Sequence, residues 1–100
     1  MVDLVRPRFR LGQTVATPAA LEAIQQAGQS PAEFLDRHVR GDWGNLSADD
    51  RALHDEAVQG GSRILSAYVT RAGEKIWIIT EAADDRGHRS ATTILLPDEY

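Results

Sequence analysis

The spacing of apolar residues changes once along this chain, from a helical period to a strand period, and the change falls at Gly60-Gly61. Ahead of it, Thr17-Pro18 places a hydroxyl cap before a proline at the first helical position. Leu21, Ile24 and Ala27 follow at helical spacing, and Gly28 supplies a left-handed stop. Ser30-Pro31-Ala32-Glu33 repeats the start signal as a capping box. Phe34, Leu35, His38 and Val39 then form an apolar stripe that Gly41 ends. Asp42-Trp43-Gly44-Asn45 reads as a tight turn around one aromatic residue, and Ser47-Ala48-Asp49-Asp50 opens a third helix through Leu53, Ala57 and Val58. After Gly61, residues 63–69, 75–81 and 91–96 are β-branched and aromatic with turn-rich links, and one more short strand is expected within residues 11–16. The pattern predicts an α+β fold of two to three short N-terminal helices followed by a three- to four-stranded antiparallel meander. Residues 1–10 read as an irregular lead, and residues 1–100 as a single domain.

Alternation along the strands assigns two sheet faces. Leu65, Ala67, Val69, Ile76, Ile78, Ile94 and Leu96 are expected to face the core. Ile64, Ser66, Tyr68, Trp77, Ile79, Glu81, Thr93 and Leu95 then share the opposite face, which is too apolar to be wholly solvated. Three covers suit it: the N-terminal segment, a second chain, or a ligand.

Composition narrows the classes. At 100 residues and 11.0 kDa, 42% of them hydrophobic, the chain suits one modest core and is too short for a complete dinucleotide-binding sheet, so no cofactor is expected. Zero cysteines exclude disulfides and thiolate metal sites. No apolar run approaches the ~20 residues of a membrane span, so a soluble, cytoplasmic protein without membrane contact is expected. The net charge of −4 sits in residues 30–61, where seven acids face three arginines; the rest of the chain is neutral overall. That balance does not favour nucleic acid as a partner, most of all for the helical half.

Five stretches, LGQTVATPAALEAI (11–24), RHVRGDWG (37–44), RILSAY (63–68), KIWIITE (75–81) and TTILLPDEY (92–100), together resemble a widespread family of small prokaryotic proteins. Its members carry the labels "plasmid-related protein" and "type I restriction endonuclease subunit M". The resemblance implies a home on phages, plasmids or genomic islands and brings no assigned mechanism. The restriction label finds no support in the residues: a methyltransferase needs a glycine-rich S-adenosylmethionine loop and an Asn/Asp-Pro-Pro-aromatic motif, and neither is present. The segment 82–90 is also longer than the family's usual turn.

Two function classes compete. The leading expectation is a non-catalytic interaction or regulatory protein of a mobile genetic element. It would bind a protein partner, or itself as a homodimer, through Trp43 and Asp42 of the glycine-flanked turn and through Ser66, Tyr68 and Trp77 of the second sheet face. The alternative is a small metal-free RNase-like toxin similar in outline to the barnase, colicin and mRNA-interferase superfamily. There Glu81, Arg89 and His38 would supply base, cation and acid. Each residue also has a structural reading: Trp43 as a core plug, His38 as a satisfied core histidine, Glu81 as an ion-pair partner of Arg89. No metal site is expected, since Gly41 breaks the helix between His38 and Asp42.

Overall fold

The computed structural model describes residues 7–100. In chain order the elements are β1 (Gln13–Ala16), α1 (Pro18–Gln26), α2 (Pro31–Val39), α3 (Ala48–Gly60), β2 (Ile64–Val69), β3 (Lys75–Thr80) and β4 (Ala91–Leu95), closed by a 3-10 turn at Pro97–Glu99. Local signals account for most boundaries. Thr17 Oγ1 accepts the Ala20 N–H at 3.2 Å and Ser47 Oγ accepts the Asp50 N–H at 3.1 Å, while Gly61, at φ 85°, ends α3 in the left-handed conformation. The capping box at Ser30 does not form. Pro31 already removes one amide in need of a partner, and the Glu33 carboxylate accepts from Gln29 Nε2 at 2.6 Å instead.

The fold is α+β, with one departure from the expected layout. β2, β3 and β4 make the antiparallel meander, but the sheet is mixed, because β1 lies parallel to β4 in the order β1-β4-β3-β2. The helices are therefore framed by strands rather than placed ahead of them all. An alternation of two identifies a strand without giving its direction. The three helices between β1 and β2 are a crossover long enough for parallel return.

The face assignment also needs correction. Pairing joins Ile64 to Thr80, Ser66 to Ile78 and Tyr68 to Ile76. The helix-packed face therefore carries Ile64, Ser66, Tyr68, Ile76, Ile78, Thr80, Thr92 and Ile94. Leu65, Ala67 and Val69 join Trp77, Ile79, Thr93 and Leu95 on the outer face. β2 is thus inverted relative to the alternation read from hydrophobicity, because Ser66 and Tyr68 enter the core with their polar atoms satisfied (below).

Two buried clusters lie under the helices. One joins Ala20, Ala23, Ile24, Phe34, Tyr68, Ile76, Ile78 and Ile94; the other joins Phe9, Trp43, Ala57 and Ile64. Phe9 revises the reading of the lead. Its ring packs beside His38 and Trp43, and the neighbouring Arg8 N–H bonds Val39 O at 2.7 Å. The part of the expected irregular lead in residues 1–6 lies outside the described residues.

The two sheet edges differ. Beside β2, Ala67 N–H donates to Trp43 O at 3.0 Å, Asn45 N–H donates to Ala67 O at 2.7 Å, and His54 Nδ1 accepts the Leu65 N–H at 3.3 Å. Among the described residues, no strand pairs with the outer edge of β1. No described helix is long and apolar enough to cross a membrane.

Candidate functional site

Between the two core clusters runs a seam of polar side chains. His38, on the inward stripe of α2, is fully buried; its Nδ1 lies 2.5 Å from Ser66 Oγ and its Nε2 2.9 Å from Thr80 Oγ1. Thr80 Oγ1 lies 2.7 Å from Thr92 Oγ1, which donates to Leu11 O at 2.7 Å. The terminal carbonyl can only accept, and this fixes every proton in the chain. Thr92 spends its proton on Leu11, so Thr80 donates to Thr92 and must itself accept from His38 Nε2–H. His38 Nδ1 is then bare and accepts from Ser66. Burial pushes the imidazole pKa down to about 3, aided by the nearby His54 and Arg89 charges, so the ring is neutral at physiological pH. With both nitrogens engaged and no exposed surface, His38 is a satisfied core histidine.

Arg89 and Glu81 do not complete a catalytic trio with it. The Arg89 guanidinium is buried against the end of α3, donating to Ala57 O at 2.8 Å, Ser62 O at 2.7 Å and Glu81 O at 3.0 Å. It is thus a cation placed on the Ala57 carbonyl in the last turn of α3 and on two carbonyls outside it, with the Phe9 ring 5.8 Å away, and what it takes from Glu81 is the backbone oxygen, not the carboxylate. Burial lowers its pKa from the usual arginine value. The adjoining segment folds on Asp84, whose carboxylate accepts from the Arg86 and His88 N–H groups at 2.9 and 2.8 Å; these bonds hold that carboxyl below its ordinary pKa.

The turn at 42–45 is built into the fold. Trp43 is 2% exposed, and its Nε1 donates to Asp55 Oδ1 at 2.9 Å, an oxygen that Arg8 also approaches at 3.1 Å. The Trp43 and Arg8 hydrogen bonds hold the Asp55 carboxyl below its usual range. Desolvation pushes the Asp42 carboxyl up, but bonds from Arg37 Nε at 2.7 Å and Gly44 N–H at 3.1 Å outweigh it, with a net lowering. Tyr68 OH donates to Asp42 O at 2.5 Å under the Arg37 guanidinium, which stacks 4.4 Å from the ring centre; burial raises the phenol well above its ordinary value. Of the residues expected to meet a partner, Trp43, Tyr68 and Ser66 are therefore interior, and Asp42 is committed to Arg37.

Trp77 alone of that set lies on the outer face. Tyr100 packs edge-on against it with ring centres 5.7 Å apart, and Arg63 holds Tyr100 through its hydroxyl and its ring face. This C-terminal clasp, not the N-terminal segment, covers part of the outer face among the described residues. Beside Trp77 a groove of about 280 Å³ opens between β2, β3 and the turn, bordered by Leu46, Val69 and Lys75, the only lysine of the chain. Sequence reasoning missed Phe9, Arg8, Asp55 and Tyr100. Only Phe9 carried a signal, as a lone aromatic in a basic stretch.

Among the described residues, no three His, Asp or Glu side chains gather as a metal site. No protein-family model matches this chain, and neither a curated protein nor a solved structure matches it.

Proposed function

We propose that this chain is a non-catalytic binding protein, in the mobile-element setting that its sequence resemblance suggests. It engages a protein partner with the outer face of its sheet around Trp77. One contrast carries the reading. The side chains a small RNase would need are spent inside the fold, with His38 in the seam and Arg89 on three carbonyls. The outer face meanwhile leaves an aromatic ring, an exposed valine and a lysine around one groove. An anchor residue of the partner that is apolar, with an acidic neighbour to meet Lys75, suits that surface. The RNase-like alternative draws no support from the placement of Glu81, Arg89 and His38.

The test uses Val69→Asp, at a residue 43% exposed on the rim, rather than a truncation of Trp77 that also frees Tyr100. A partner cross-linked to the wild type in host cells is expected to be lost from Val69→Asp while the melting temperature stays within a few degrees. Equal recovery by both overturns the assignment to this face. RNA breakdown on expression that disappears in Glu81→Ala overturns the non-catalytic reading altogether.

A further inference from the structure

The open edge of β1 has the chemistry to pair with a second copy of itself. Gln13 N–H donates to Ser90 O at 3.0 Å and Thr17 N–H donates to Ile94 O at 2.9 Å, so the odd-numbered residues of this stretch turn their backbone groups inward to β4. Backbone alternation then points the N–H and C=O of Thr14 and Ala16 away from the sheet, where no strand meets them among the described residues. The strand, Gln-Thr-Val-Ala, is short but carries no charge, proline or bulge, three of the devices that ordinarily discourage pairing at an edge. At its centre Val15 is 41% exposed on the outer face. The opposite edge of the sheet is closed by Trp43, Asn45 and His54.

We infer that two copies of this chain associate through antiparallel pairing of their β1 strands. A two-fold axis perpendicular to the sheet passes beside Val15. Thr14 of each copy then exchanges backbone hydrogen bonds with Ala16 of the other, and the two Val15 side chains meet on the axis at the close, non-hydrogen-bonded spacing of about 4.5 Å between Cα atoms. The two-fold axis brings the same residues of both copies together, Thr14 against Ala16 and Val15 against Val15, so the contact is isologous. With one open edge per copy among the described residues, assembly stops at two rather than growing into a fibre. The two sheets become one, with both Trp77 grooves on the same side. This association stands independently of the proposed partner.

Light scattering across a micromolar-to-millimolar concentration series tests it. The wild type is expected to approach twice the chain mass of 11.0 kDa, with the amides of Thr14 and Ala16 protected from hydrogen exchange in the associated form. Val15→Lys sets like charges against each other on the axis at an exposed position, and is expected to leave a folded monomer with an unchanged circular dichroism spectrum. Val69→Lys, equally exposed but remote from this edge, is expected to remain a dimer. A wild type that stays monomeric throughout overturns the inference. So does a dimer that survives Val15→Lys, since it must use another surface. A monomer that loses its partner in Val69→Asp leaves the binding proposal standing while this one falls.

Discussion

His38 is fully buried, and that burial gives a pH dependence with a definite sign. Its pKa falls from 6.5 in the unfolded chain to about 3 in the folded one, so the unfolded state takes up the proton first. The stability that the neutral ring confers is complete above pH 6.5 and is lost as pH falls towards 3. About 2 kcal/mol should be gone by pH 5. Urea unfolding between pH 7.5 and 5, above most of the range in which the lowered carboxyls of Asp42, Asp55 and Asp84 add a loss of the same sign, should show this slope, and His38→Gln should flatten it, apart from a smaller slope of the same sign from His54, whose pKa burial also lowers. Arg89 gives a second prediction. Arg89→Ala strips the donor from three inward-facing carbonyls and should lower stability by about 3 kcal/mol in chemical denaturation. Loss of activity in such a variant therefore reports on folding, so Glu81 is the informative position for testing catalysis.

Among the elements, the helices were largely legible and the sheet faces were not. Caps and glycine stops are local chemistry, and Thr17, Ser47 and Gly61 act as their neighbours predict. The phase of β2 depends on where polar atoms find partners. Ser66 reads as a surface residue until His38, twenty-eight positions earlier in the chain, accepts its proton. The turn 41–45 shows the same limit: its glycines advertise a turn, but not that it docks on the edge of β2. Gly44, at φ 73°, lies so close that a Cβ would fall 2.0 Å from Ala67 O. Gly73, at φ 87°, has nothing within 4 Å of the same position. Gly73→Ala should therefore cost only the left-handed strain of about 1–2 kcal/mol. Gly44→Ala should cost at least about 2 kcal/mol more by thermal melts, because the backbone must also withdraw.

At the scale of the molecule, tertiary contacts rearrange the charge that the sequence concentrates in its middle. Asp36, Asp42 and Asp55 face Arg40, Arg37 and Arg8, the last arriving from the lead. These pairs are solvent-exposed and add little to stability. Among the described residues they leave Glu33 on α2 and Asp49, Asp50 and Glu56 on α3, where Leu53 is also exposed, as the acids of this stretch without an ion pair. The sequence by itself determined the element order from α1 onward, the α+β class and the meander, because caps, turns and hydrophobic periods act over a few residues. Only the tertiary structure decided the parallel seating of β1, the inversion of β2 and the burial of His38, Arg89, Trp43 and Tyr68. Each of these depends on a hydrogen-bond partner many residues distant, and hydrophobic spacing carries no record of which partner that is.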